Sequence, residues 1–335
     1  MSTQPYPIGL PGAPWDAAAR AAWRARQKKQ RSYADDVLTA ITPLAEQCSA
    51  RLAASPTVRA RRALPSGHSA SRALFADFEV TTHAELDTGA DGVFPLIAIR
   101  TRGWDARRPT MLVTGGVHGY ETSGVHGALA FVADHLADYA GRANVLVLPC
   151  VSPWAYERIQ RWNAEAVDPN RSFGNGAAPE SVAVTRLVAP LRGQIRMHID
   201  LHETTDTDES EFRPALAARD GKPFEPGTIP DGFYLVDDTE NPQPAFQAAV
   251  IAAVEKVTHI AAADPDGTLI GTPVVARGVI RYAVRTLGLC TSVSGARFTT
   301  TTEVYPDSPR ATPAQCNAAQ VAAVRAAIDF ALAHD

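Results

Sequence analysis

Two short stretches of the 335-residue chain hold residue types that bind metal ions. Residues 115–124 read GGVHGYETSG, which sets His118 three positions before Glu121 in a glycine-rich turn behind an apolar run. Imidazole and carboxylate are ligands that Zn2+ accepts, and a catalytic zinc site uses three protein groups and keeps one position open. A bare His-x-x-Glu is also an ordinary surface turn, so a third ligand has to come from elsewhere. The stretch MHIDLHETTD at 197–206 offers one. Ile199 and Leu201 alternate there with His198, Asp200 and His202, and period-two geometry puts the three polar side chains on one face of a strand that runs into a loop. An edge strand with a solvated side would alternate in the same way, but the acidic and histidine content favours a metal-lined cleft.

A third segment, QRWNAEAVDPNRSF at 160–173, crowds Arg161, Asn163, Asp168, Asn170 and Arg171 into what reads as a structured loop. With the late strand RFTTTTEVYP at 297–306, these segments resemble the zinc carboxypeptidases. That family comprises the M14 metallocarboxypeptidases and their aspartoacylase and succinylglutamate desuccinylase relatives. It shows H-x-x-E, an R-x-N-A…D-x-N-R-x-F block, D-x-H and a late-strand glutamate, and all four stand here in that order. The resemblance covers roughly residues 75–335.

The resemblance implies that His118, Glu121 and His202 bind one Zn2+ per chain, with water in the fourth place. It implies that Asp168 holds the imidazole of His118 in its metal-binding tautomer. Asn170 and Arg171 match the pair that grips a substrate's terminal carboxylate, where a planar guanidinium suits two oxygens. Arg161 matches the arginine that stabilises the oxyanion, with Arg158 close enough in sequence to compete. Glu303 matches the general base. The implied activity is a zinc metallocarboxypeptidase that hydrolyses the C-terminal peptide bond of a peptide by a zinc-bound water. The alternative is an N-acyl amino acid amidohydrolase of the aspartoacylase or succinylglutamate desuccinylase type. Two blocks depart from the family pattern: SPWA at 152–155 replaces N-P-D-G, and DPNRSF replaces D-L-N-R-N-F, where Pro169 constrains the backbone ahead of Asn170. Tyr282 stands near the place of the family's mobile tyrosine and reads equally well as a core residue.

The elements that must position these residues follow from periodicity. Strand-like runs occur within FADFEVTTHAEL, FPLIAIRTRG, TMLVTGG, NVLVLPCVS, IRMHIDLHE, GFYLVDD and RFTTTTEVY. Helical patterns at about 122–140, 180–192, 244–258 and 313–333 alternate with them. That order predicts a three-layer α/β/α fold with a mixed, largely parallel central sheet, about eight strands by the family resemblance. Sites in such sheets gather beyond the carboxyl ends of strands, where His118 and His202 fall. Ala, Arg and Leu with helical spacing over 13–53 predict one or two helices without a motif, so the chain divides into an N-terminal helical extension (1–70) and a catalytic domain (71–335).

Composition narrows the partners. A hydrophobic content of 45% suffices for a large core, and a net charge of −4 with dispersed basic residues gives no footprint for nucleic acid. A peptide or an N-acyl amino acid is the expected substrate. No basic patch precedes an apolar stretch at the N-terminus, and no run of about 18 apolar residues occurs, so the reading is a soluble, cytoplasmic protein with no membrane partner. Cys48, Cys150, Cys290 and Cys316 lie far apart and read as buried thiols. The loop ETTDTDESEF reads as a solvated acidic surface, while Arg277, Arg281, Arg285 and Arg297 are candidates to read an acidic side chain.

Overall fold

The computed structural model describes residues 6–41 and 78–334. Its strands are β1 (Phe78–Asp87), β2 (Val93–Thr101), β3 (Thr110–Gly115), β4 (Asn144–Leu148), β5 (Ile195–Glu203), β6 (Tyr234–Asp238), the two-residue pair β7 (Thr268–Leu269) and β8 (Thr272–Pro273), β9 (Val279–Tyr282) and β10 (Phe298–Val304). Its α-helices are α1 (Ala17–Arg26), α2 (Thr122–Asp134), α3 (Pro153–Arg158), α4 (Pro179–Val188), α5 (Arg213–Arg219), α6 (Pro244–Val254) and α7 (Pro313–Ala333).

Eight strands form one mixed sheet in the order β1-β2-β4-β3-β5-β10-β6-β9. The centre, β4-β3-β5-β10, is parallel throughout. β1 and β2 form an antiparallel hairpin at one side, and β6 runs antiparallel to β10 at the other. β3 and β4 are largely apolar on both faces because helices cover both, whereas β5 turns His198, Asp200 and His202 to one side. Val113, Val145, Val147, Ile199 and Leu201 point into one core with Phe131 of α2, Val250 of α6 and Val324 of α7. Leu112, Leu146 and Leu148, one residue out of phase, pack with Val184 and Val188 of α4 on the opposite face. The three-layer expectation is met by this division.

Several helices end short of their predicted limits. α2 stops at Asp134 and continues as a tight turn over Leu136–Tyr139, and α4 gives way to a turn over Ala189–Leu191, where Pro190 cannot extend the ladder. The departure SPWA starts a helix: Pro153 takes the first turn of α3, where a missing N–H costs nothing, and the Ser152 hydroxyl donates to Val117 O at 2.7 Å. β9 was not among the predicted strands, because four residues are too few for a period.

Of the N-terminal helical stretch, 17–26 is α1 and 34–38 is a single π-helical turn, and residues 42–70 lie outside the described part. The described segment packs on the α/β body through aromatic rings. Trp23 lies 5.5 Å from Trp162 and 6.2 Å from Trp154, centroid to centroid, and Trp15 meets Trp162 edge-on at 6.0 Å. Cys150, Cys290 and Cys316 are buried free thiols; Cys48 lies outside the described residues. No described helix is long and apolar enough to cross a membrane.

Candidate metal centre and cleft

β3 ends at Gly115, and Gly116 adopts φ +58°, a left-handed turn that carries the chain off the sheet and delivers His118 and Glu121 above the strand ends. Glu121 is the residue at which α2 begins, yet its carboxylate does not cap that helix. The free amides of Thr122 and Ser123 are taken instead by Glu203, at 3.0 and 2.7 Å, so the end of β5 is tied to the start of α2. Burial pushes the Glu203 carboxyl up to about 7.

The Glu121 carboxylate turns toward two imidazoles. Its Oε1 lies 2.7 Å from His118 Nδ1, and its Oε2 lies 2.7 Å from His202 Nδ1. Donor atoms of His118, Glu121 and His202 all fall within 4.8 Å of one another, and the three side chains are buried. Burial favours the neutral acid, but His202 and then His118 outweigh it and hold Glu121 at about 2. Each imidazole is anchored through its far nitrogen. His118 Nε2 lies 2.9 Å from Asp168 Oδ1, and His202 Nε2 lies 2.6 Å from Asp200 Oδ2. Nε2–H donation to those carboxylates would leave both Nδ1 atoms, which face Glu121, free to bind a metal. Glu121 Oε2 is buried without a properly directed hydrogen bond, despite its short contact with His202. Two imidazoles and one carboxylate with an unsatisfied oxygen form a donor set that suits a divalent ion such as zinc.

The other predicted residues separate by position. Asp168 Oδ1 also accepts from Asn170 N at 2.9 Å, and its Oδ2 pairs with Arg161 Nε at 3.1 Å. Burial works against its charge, but Arg161 and His118 hold the carboxyl well below the ordinary range. Arg161 lines the cleft and also reaches Tyr120 OH and Asp208. Arg158 does not line it: it is buried, pairs with Asp91 at 2.9 Å and lies over the Trp154 ring. Asn170 is buried, with its Oδ1 accepting from Cys290 N at 2.7 Å and its Nδ2 3.3 Å from His202 Nε2. Arg171 is exposed to the cleft, and among the described residues its side chain hydrogen-bonds only the Asn170 carbonyl.

Glu303 stands directly beside His202 in the register of β10 and β5, and its Oε2 accepts from Thr204 Oγ1 at 2.9 Å. Burial pushes its carboxyl up to about 8, with Glu121 and Asp208 adding to the effect and His202 opposing it. The cleft that joins these groups has a volume of about 550 Å3. Part of its wall is uncharged, with Tyr234, Val236, Ile270, Tyr282, Leu289 and Thr301, while Arg213, Arg219 and Asp220 line it elsewhere.

Some residues differ from the sequence reading. Glu203 and Asp208 of the acidic loop are buried rather than solvated; Asp208 accepts from Tyr120 OH at 2.9 Å. None of Arg277, Arg281, Arg285 and Arg297 lines the cleft, and the first three pair with Glu255, Asp237 and Glu240. Asp200 received no role from the sequence. The signal for it was present in the alternation that put it on the same strand face as His202.

No family model matches the chain, and no curated protein is significantly similar to it. Solved structures do share its architecture, and the fold they define is carboxypeptidase-like. A candidate metallopeptidase from Shewanella amazonensis matches with a TM-score of 0.57 at 21% identity, over 76% of this chain and 86% of its own. Carboxypeptidase A from Helicoverpa armigera matches with a TM-score of 0.52 at 16% identity, over 89% of this chain and 81% of its own. A metallo-carboxypeptidase from Burkholderia cenocepacia matches with a TM-score of 0.51 at 16% identity, over 77% and 65%.

Proposed function

We propose that this chain is a zinc-dependent metallocarboxypeptidase that hydrolyses the C-terminal peptide bond of a peptide substrate. One observation carries the carboxypeptidase reading. Four arginines line the cleft, and three are neutralised there: Arg161 by Asp168 and Asp208, Arg213 by Glu209, and Arg219 by Asp220. Arg171 alone among them has no described carboxylate within ion-pair distance, and it lies in the same cavity as His118, Glu121 and His202. A guanidinium held open in this way suits a carboxylate brought by the substrate, which it can bind through two parallel charge-assisted hydrogen bonds.

His118, Glu121 and His202 would hold the zinc, which supplies a Lewis acid and lowers the pKa of a bound water. Arg171, with Asn170 beside it, fixes the terminal carboxylate and so sets which amide bond reaches the metal centre. The uncharged wall from Tyr234 to Leu289 receives the terminal side chain. Arg161 supplies positive charge beside His118 for the developing oxyanion. Glu303 accepts a proton from the attacking water and returns it to the leaving amine.

Metal analysis combined with one substrate series tests the reading. Blocked dipeptides with a free C-terminus are expected to be cleaved, and the same dipeptides amidated at that end to be poor substrates. Arg171→Ala is expected to raise KM for the free acids and to narrow the gap between free and amidated ends. Equal turnover of both ends by the wild type would sink the carboxylate clamp. Turnover of N-acetyl or N-succinyl amino acids in preference to every dipeptide would move the assignment to the amidohydrolases.

A further inference from the structure

The described N-terminal segment reaches the turn that carries His118 and Glu121. The segment after α1 zips onto the end of α3. Gln30 N and Arg31 N both donate to Glu157 O, Gln30 Nε2 donates to Arg158 O at 2.9 Å, and Lys29 Nζ pairs with Glu157 at 2.7 Å. Between these anchors the Arg31 side chain passes across the Tyr156 ring, its guanidinium carbon 3.6 Å from the centroid. Its Nε donates to Tyr156 O at 2.7 Å, its Nη1 to Thr122 Oγ1 at 2.7 Å and its Nη2 to Gly119 O at 2.5 Å.

Gly119 follows His118, and Thr122 follows Glu121. One planar cation therefore grips the turn just after each of the two ligands it carries, and ties both to α3. The contact depends on Gly119, because a Cβ there would collide with the backbone of Ala155 and Tyr156. All three of Arg31's acceptors are neutral, and burial lowers its pKa. A guanidinium desolvated with no carboxylate partner among the described residues is not placed for an ion pair. Its fork of donors matches acceptors on two elements whose separation must be held.

We infer that Arg31 is a positioning residue for the metal centre, so that the N-terminal segment is part of the site's architecture. The inference rests on the zinc reading above. Arg31 touches neither metal nor substrate; it fixes the backbone from which His118 and Glu121 project. Metal sites lose affinity when the groups that orient their ligands are removed.

The test uses the full-length protein and compares Arg31→Ala and Arg31→Lys with Arg24→Ala. Arg24 anchors the same segment through Asp91 and Glu165, away from the metal turn. Zinc dissociation constants are measured by competition with a chromophoric chelator, alongside thermal melting of the metal-free proteins. Arg31→Ala is expected to weaken zinc binding by about tenfold or more. Arg31→Lys, which cannot reach three acceptors at once, is expected to weaken it by at least about threefold. Arg24→Ala is expected to bind zinc within about twofold of the wild type even if its Tm falls. Wild-type affinity in Arg31→Lys or Arg31→Ala would overturn the positioning role and leave the zinc reading standing. Equal weakening by Arg24→Ala would reduce Arg31 to a general tether. A wild type that binds no zinc would overturn both.

Discussion

Asp200 lies two residues before His202 on the same face of β5, and its Oδ2 meets His202 Nε2 at 2.6 Å. Asp168 does the same for His118 from a different segment, at 2.9 Å. The two imidazoles are thus held by separate carboxylates with both Nδ1 atoms turned inward. Asp200 is itself held by Thr114 Oγ1, which donates to its Oδ1 at 2.6 Å from the neighbouring strand β3. Burial disfavours its charge, but His202 and the Thr114 hydrogen bond keep the carboxyl below the ordinary range. The chain of contacts runs from the sheet interior to the proposed ligand.

If the two carboxylates orient the ligands, removing either should cost metal affinity without unfolding the protein. Asp200→Ala and Asp168→Ala are each expected to weaken zinc binding by about 10- to 100-fold, the scale found when a ligand's outer partner is removed. Chelator competition on the purified variants measures it. Unchanged affinity in Asp200→Ala would show that β5 packing alone orients His202.

His198 sits deeper on the same strand face, fully buried, with Nε2 3.0 Å from Thr114 Oγ1 and Nδ1 3.2 Å from Ser294 Oγ. Burial holds its pKa down at about 4, with Asp200 opposing. In the unfolded chain an imidazole titrates near 6.5, so between pH 6.5 and 4 the unfolded state binds the extra proton. The sign is therefore loss of stability as pH falls through that window, with the contribution fully present above it. A depression of this size corresponds to about 3 kcal/mol across the window. Urea unfolding of metal-free protein from pH 7 to 4.5 is expected to show a steeper acid decline in the wild type than in His198→Asn. Parallel curves would mean that His198 is not the group buried in its neutral form.

The fold was legible where a strand is long and alternates cleanly. The central strands announced themselves through apolar runs, and the polar phase of MHIDLHE marked a face that is not part of the apolar core, although it is buried. β9 was not legible, since Val279–Tyr282 is recognised as a strand only by its pairing with β6. The metal motif read as a unit because His118 and Glu121 are local. The groups that hold it come from far away: Arg31 meets Gly119 across 88 positions and Thr122 across 91. Nothing in the Ala- and Arg-rich N-terminal stretch distinguishes Arg31 from its neighbours, because its partners are backbone carbonyls and a hydroxyl, which leave no pattern. Glu203 and Asp208 were misread for a related reason. In a run of acidic residues, composition suggests solvent, whereas a free helix start and a buried tyrosine hydroxyl each recruited one carboxylate from the run.

Glu303, beside His202 in the register of β10 and β5, has no described lysine or arginine within ion-pair distance; its hydrogen bond comes from Thr204, whose hydroxyl also meets Tyr234 OH at 2.8 Å. In the metal-free protein burial raises its carboxyl to about 8, and a divalent cation held by Glu121 would pull it back toward the ionised form. An ionised Glu303 can take a proton during attack on the amide carbonyl and deliver it to the departing nitrogen. Glutamine keeps the shape and the contact with Thr204 but has no proton to exchange. Glu303→Gln is therefore expected to bind zinc as the wild type does while its turnover falls by about two to four powers of ten. Steady-state kinetics on the best dipeptide, with metal content measured on the same samples, decides the matter. Turnover within a few-fold of the wild type, with zinc bound, would remove Glu303 from the proton path and leave that step to another group in the cleft.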